Sequence, residues 1–280
     1  MGGAELETAE ADRVGAADDE AERAMTGRRL DVARPVVAGP EVAGVLADAA
    51  AWAMPPAADE IRLTLVRHGE TAWNMERRIQ GQLDLPLNDT GLQQAEAAAG
   101  RFGPGMIDVL YTSDLMRAVS TAEPIGRAAG VAVQLDVCWR ERHFGAFQGW
   151  RYQQIADEQP AVFARLDARD PAQDLSGGES LTQLMARVKA GLAALVSRHP
   201  GQRVVIVSHG GVLDCIYRVA TGLPLTAPRS FPVYNASLNH LLWSDGRWQV
   251  MDWADIAHLT GSRDEIDPRE RRSAMAGKVG

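Results

Sequence analysis

Between Asp59 and Thr260 the chain alternates short apolar runs with longer stretches in which apolar residues recur every three or four positions. Ile61–Val66 is almost continuously apolar, the pattern of a strand buried on both faces. Val109–Thr112, Val131–Leu135 and Arg203–Ser208, with its core Val204–Val207, read as three further strands. Thr90-Gly91-Leu92-Gln93 has capping-box spacing and opens an Ala-rich helix to about Arg101. A second helix starts near Leu115, and Pro124 is expected to kink or split it. From about Ser180 to Arg198, Leu181, Leu184, Val188, Leu192 and Leu195 share one helical face, and Pro200-Gly201 ends that helix. Gly210-Gly211 leads into another helix, which Gly222 closes. Asp245-Gly246, between Ser237–Ser244 and Arg247–Trp253, is a two-residue hairpin signal. Strand-helix alternation of this kind predicts an α/β fold: a three-layer α/β/α sandwich on a mostly parallel sheet, with an antiparallel C-terminal hairpin at one edge.

The first 58 residues follow a different pattern, rich in Ala, Glu, Asp and Gly with little apolar periodicity. They read as an acidic, largely disordered leader with helices near Ala4–Ala24 and Glu41–Ala53, ahead of a domain over 59–260 and a polar tail over 261–280. Arg28-Arg29 suggests a twin-arginine signal, but Glu41 and Asp48 stand where its apolar core belongs. Met54 is an alternative start, to be tested by the intact mass of the native protein.

Charge adds one point. The net charge is −8, and residues 1–60 carry 13 of the 37 acidic and 5 of the 29 basic side chains, leaving 24 of each for the remainder. The excess belongs to the leader and says nothing of the domain's ligand, while an acidic chain argues against general nucleic-acid binding. No apolar stretch approaches the roughly 20 residues that span a bilayer. Cys138 and Cys215 lack disulfide-framework or metal spacing and read as reduced thiols of a cytoplasmic protein.

The chemistry-bearing residues stand at the carboxyl ends of the predicted strands. Arg67-His68-Gly69-Glu70-Thr71 follows the first, Ser113-Asp114-Leu115-Met116-Arg117 the second and Ser208-His209-Gly210-Gly211 the fourth. An open α/β sheet binds its ligands at that rim, so two histidines and two arginines converge there. Arg67 and Arg117 offer planar forks for phosphate oxygens, and a helix opening at Gly210 points its positive end at an anion. A neutral imidazole can attack phosphorus, and Glu141 is the candidate acid for the leaving oxygen. Taken singly, each residue has an ordinary reading as a cap, a solvated charge or an ion-pair partner. His143, His199, His240 and His258 lack the strand-end setting and read as structural.

As a set, Leu65–Asn74, Arg78-Ile79-Gln80-Gly81, Asp84–Leu87, Thr112–Ala118, Glu141–Gly149 and Val207–Gly211 closely resemble, in order, the motifs of the histidine phosphatase superfamily, in the branch containing cofactor-dependent phosphoglycerate mutases. The resemblance runs from about Ile61 to Leu259. It implies that His68 is phosphorylated, that Arg67, Arg117, His209 and Asn74 hold the phosphate, and that Glu141 donates the proton and later activates water. It further implies substrate contacts at Gln80, Gly81 and the Gly210 backbone, with no metal and no other cofactor; 2,3-bisphosphoglycerate enters only for a mutase.

Mutase and phosphatase share this pocket. Glu141–Gly149 looks mutase-like, particularly at His143 and Gln148. Against that, Tyr152 stands where such mutases carry a lysine, and Gly211 where they usually carry an asparagine. The segment Arg151–Gly178 is short and holds only the separated Arg165 and Arg169 in place of an adjacent arginine pair. The resemblance therefore favours a metal-independent phosphatase acting on a small phosphorylated metabolite, with a mutase as the alternative. A non-catalytic phospholigand-binding protein would be expected to lack His68, Glu141 or His209, and all three are present. Trp150–Gly178 is the expected lid, with Trp150, Tyr152 and Phe163 either lining the pocket or packing helices. Oligomeric state is open, a dimer included, with Trp243, Trp248 and Trp253 as core or interface candidates.

Overall fold

The computed structural model describes residue 52 and residues 54–259. The expected helix near Ala4–Ala24, most of that near Glu41–Ala53 and the tail over 261–280 lie outside the described residues.

Six strands form one sheet: β1 (Ile61–Arg67), β2 (Val109–Thr112), β3 (Val133–Leu135), β4 (Gln202–Ser208), β5 (Leu238–Ser244) and β6 (Arg247–Asp255). Their spatial order is β3-β2-β4-β1-β5-β6. The first four in that order pair in parallel, while β5 and β6 add an antiparallel hairpin beside β1. Seven helices accompany the sheet among the described residues: α1 (Ala72–Met75), α2 (Asp89–Ala99), α3 (Met116–Ala129), α4 (Tyr152–Glu158), α5 (Pro160–Asp167), α6 (Leu181–Arg198) and α7 (Gly210–Thr221). None is long and apolar enough to cross a membrane.

Side chains alternate across a strand, so a continuously apolar strand must be covered twice. Leu63 and Leu65 of β1 with Val204 and Ile206 of β4 pack under Leu184, Val188 and Leu192 of α6 and Leu213 and Ile216 of α7. Val66, Val205 and Val207 face the other way, onto Ala98 of α2 and Ala118, Ala122 and Ile125 of α3. A third cluster, Ile79, Phe147, Ile155 and Leu175, roots the α4–α5 segment, and Trp150, Tyr152 and Phe163 pack against it. Trp248 and Trp253 are buried in the main core with Trp243 packed beside them, which makes the tryptophan cluster part of the fold's interior.

Four local expectations shift. The α2 cap is Asn88, whose Oδ1 accepts from Gly91 N at 2.8 Å, rather than Thr90. The reason is tertiary: Asn88 also donates through Nδ2 to Glu70 Oε1 at 2.8 Å, tying the helix start to the turn after β1. Gly91 lies so close to Glu70 that a Cβ there would collide with its backbone. α3 runs unbroken through Pro124, with Ala118, Ala122, Ile125 and Ala129 buried along it. That burial outweighs the roughly 3 kcal/mol a mid-helix proline costs. β3 starts at Val133, because Val131 N still donates to Gly126 O at 3.0 Å and finishes the preceding helix. Trp52, within the expected leader, donates from Nε1 to Thr64 Oγ1 at 3.2 Å and packs edge-on against His240.

Candidate active site

The parallel register fixes the rim. Arg67 pairs with Ser208 at the ends of β1 and β4, and Thr112 at the end of β2 pairs with Val207. His68 N donates to Ser208 O at 2.9 Å, extending the ladder one residue past the strand. The His68 and His209 rings, both buried, stand 5.1 Å apart with their planes at 55°. Asn235 Nδ2 donates to His68 O at 2.8 Å, locking the turn from a third side.

His68 Nδ1 donates to Gly69 O at 2.7 Å, because a carbonyl only accepts; this leaves Nε2 as the unprotonated nitrogen. Burial, then the charges of Arg117 and Arg67, hold the His68 pKa well below its ordinary value. Burial and the same arginines, with His68 itself, lower that of His209 as well. Both imidazoles are therefore neutral near pH 7, the form in which a ring nitrogen is nucleophilic. Neither ring nitrogen of His209 has a hydrogen-bond partner among the described residues.

Arg67 Nη1 donates to Val233 O at 2.6 Å. Arg117 is fully buried and donates from Nη1 to Leu83 O at 2.8 Å and from Nη2 to Gly81 O at 2.7 Å. Burial brings its pKa down to about 10, so it stays charged at neutral pH. Asn74 uses Oδ1 to accept from Thr71 N and Thr71 Oγ1, both at 3.0 Å, which reserves its amide NH2 for the cavity it lines.

Glu141 leaves a 3-10 turn, Val137–Trp139, and reaches the start of α7. Its two oxygens accept from Gly211 N at 3.1 and 3.0 Å, and Oε1 also from Arg142 N at 2.7 Å. A Cβ at residue 211 would meet Oε1, so a side chain there would displace the Glu141 carboxylate from its present place. A Cβ built on Gly210 would lie 3.8 Å from Arg67 Nε and 4.0 Å from Glu141 Oε2, so the candidate phosphate-binding arginine and the candidate acid flank one point.

These residues open on a cavity of about 240 Å³. Arg67, His68, Asn74, Gln80, Gly81, Arg117, Glu141 and Gly210 all line it, and His209 adjoins it through His68. The nine residues assigned to catalysis, phosphate and substrate from the sequence thus gather at one place, eight lining the cavity and His209 beside them. Tyr152 and Phe163 line the cavity as well as packing against Ile79, Phe147, Ile155 and Leu175, while Trp150 only packs. His143 and Gln148 do not line it: His143 Nδ1 accepts from Gly145 N, and Gln148 Oε1 accepts from Gln82 N, bracing the turn that carries Gln80. His199, His240 and His258 bond to Tyr111, Thr64 and Ala236, away from the cavity.

Sequence reasoning missed much of the cationic wall. Arg67, Arg78, Arg117, Arg142, Arg169 and Arg229 line the cavity against Glu141, Asp167 and Asp214, an excess of three positive charges with every group ionised. Arg142 was readable from its place beside Glu141, and Asp214 from its i,i+4 relation to Gly210. Nothing in the local sequence points to Arg229.

The sequence profile of the histidine phosphatase superfamily (branch 1) matches residues 63–256. The chain is 38% identical over 205 residues to phosphoglycerate mutase-like protein 4 of Arabidopsis thaliana, covering 72% of this chain and 88% of that protein. It is 38% identical over 201 residues to a metal-independent phosphoserine phosphatase of the same plant, covering 71% of this chain and 83% of that protein. Among solved structures, a mycobacterial glucosyl-3-phosphoglycerate phosphatase complexed with VO3 superposes with a TM-score of 0.59 at 35% identity, covering 69% of this chain and 98% of that one.

Proposed function

The chain belongs to the histidine phosphatase superfamily, and within it we propose that it is a metal-independent phosphatase, hydrolysing a small phosphate monoester through a phosphohistidine on His68. The observation that carries this reading is the state of His68: neutral, held by Gly69 O through Nδ1, and set among arginines at the end of β1. Nε2 attacks phosphorus as the ester oxygen departs with a proton from Glu141. Arg67, Arg117, Asn74 and the α7 N-terminus hold the equatorial oxygens, and His209 supports the developing charge. Water then attacks the phosphohistidine, with Glu141 now accepting its proton, and inorganic phosphate leaves. Relatives named as a phosphoserine phosphatase and a glucosyl-3-phosphoglycerate phosphatase support hydrolysis of small phosphorylated metabolites.

A mutase is the second reading, favoured by the mutase-like relative. It would need 2,3-bisphosphoglycerate as its priming cofactor. Phosphorus NMR of the protein with 3-phosphoglycerate, primed with 2,3-bisphosphoglycerate in metal-free buffer, separates the two. Free phosphate without 2-phosphoglycerate is the expected result; isomerisation faster than phosphate release would overturn it. His68→Ala should abolish phosphate release while leaving the melting temperature in place, and appreciable residual turnover would refute the phosphohistidine route.

A further inference from the structure

The backbone around Glu141 is irregular: residues 140–144 belong to no helix or strand, and the 3-10 turn Val137–Trp139 precedes them. Carbonyls in such a stretch find no partner in a ladder, and Arg187 of α6 satisfies three of them. Its Nη1 donates to Cys138 O at 2.7 Å and to Arg140 O at 2.9 Å. Its Nη2 donates, at a longer 3.5 Å, to Glu141 O, which also accepts from Gln82 Nε2 at 3.0 Å. The same guanidinium pairs with both carboxylate oxygens of Glu179, Nε with Oε1 at 3.0 Å and Nη2 with Oε2 at 2.7 Å. A guanidinium has five N–H donors, and these bonds use them all.

Glu179 grips the far end of the same stretch. Its N–H donates to His143 O at 2.7 Å, its carbonyl accepts from Arg142 Nε at 2.7 Å, and Oε2 accepts from His143 N at 3.4 Å. One ion pair thus holds Cys138–His143 at both ends, with Glu141 between them. The support is firm because α6 is: Leu184 and Val188, on either side of Arg187 along the helix, are fully buried. A Cβ built on Gly191, one turn further on, would stand 2.7 Å from Cys138 Sγ and from Cη2 of the buried Trp139. The helix therefore lies directly against the turn that leads to Glu141. Neither Arg187 nor Glu179 lines the cavity.

We propose that Arg187, clamped on Glu179, is a positioning residue for Glu141, fixing the backbone that presents the acid to the leaving oxygen without touching the substrate. The inference rests on the reading that Glu141 is the acid of a phosphatase. Gly211 N holds the tip of the Glu141 side chain and Arg187 holds its root. Loss of the root lets the carboxyl drift while the phosphate pocket stays in place.

Steady-state kinetics on phenyl phosphate and nitrophenyl phosphate, esters of similar shape but different leaving-group basicity, test it. Arg187→Met should lower kcat/KM for phenyl phosphate by about 10- to 100-fold, the cost of misplacing a catalytic group by about an ångström, and for nitrophenyl phosphate far less. Inhibition by inorganic phosphate should be unchanged, since Arg67, Arg117 and Asn74 are anchored elsewhere. Arg187→Lys, which keeps the charge beside Glu179 but fewer donors, should recover part of the loss. In a Glu141→Gln background Arg187→Met should cost little more, because the group it positions has already lost its proton. No loss, an equal loss on both esters, weakened inhibition by phosphate, or the full loss repeated over Glu141→Gln would overturn the inference. Should Arg187→Met fail to fold, the same readings on Arg187→Lys decide it. Failure of the underlying reading shows separately: no phosphate release from the unmutated protein, or an equal loss on both esters in Glu141→Gln alone, would remove the acid and this inference with it.

Discussion

Both carboxylate oxygens of Glu141 accept the Gly211 N–H, and Oε1 also accepts that of Arg142. These bonds aim a flexible side chain at one place beside Arg67, and general acid catalysis needs that aim before it needs any particular acidity. Glu141→Gln preserves the shape and removes the transferable proton. Turnover of an alkyl phosphate, a poor leaving group, should fall by about 10²–10⁴-fold, and that of nitrophenyl phosphate by far less. An equal loss on both substrates, read from steady-state kcat, would show that Glu141 is not the acid. His68, His209, Arg67 and Arg117 were legible because each sits at or just past a strand whose apolar run announces it. Arg229 was not, since a lone arginine in the loop after α7 differs in no local respect from a solvated charge; only its bond to Asp214 gives it a role.

At the scale of elements, α6 is the most completely specified. Ser180 and Gln183 form a reciprocal capping box, and every apolar residue of the predicted face is buried. Leu192 is 3% exposed, packs in the main core and does not line the cavity. Leu192→Ala should destabilise the domain by about 2–5 kcal/mol, through lost transfer energy and the residual cavity. Urea unfolding should show a lower midpoint at an unchanged slope; a change below about 1 kcal/mol would mean that the site collapses around the smaller side chain. The hairpin was equally legible: Asp245 and Gly246 take φ of 51° and 73°, as a two-residue turn matched to strand twist requires. The α2 cap and the unbroken α3 were not, because each depends on a partner distant in sequence. Asn88 is held by Glu70, and the residues flanking Pro124 are held by the sheet.

Across the whole molecule, buried histidines set the acid limit of stability. Burial lowers the pKa of His240 to about 4, and those of His68 and His209 also lie well below their ordinary value. The unfolded chain therefore binds more protons than the native one as pH falls from about 6.5 toward 4, and stability falls with it, by up to about 1.4 kcal/mol per pH unit for each such group. Asp252, whose carboxyl is raised by burial, acts in the opposite sense but is one group against these three and His258, which burial also lowers. The melting temperature should drop steadily from pH 7 to pH 4.5; a flat profile over that range would contradict the neutral, buried state assigned to these rings.

The sequence by itself determined the strands, most helices, the parallel order of chemistry at their ends and the family, because apolar periodicity and the residues next to strand ends are local properties of the chain. Tertiary structure alone decided the tautomer of His68 through Gly69 O, the anchoring of Glu141 on Gly211, and the joining of Arg169 to Arg229 across Asp214. Those features depend on distances between residues far apart in the chain, and a distance exists only once the sheet has brought its strand ends together.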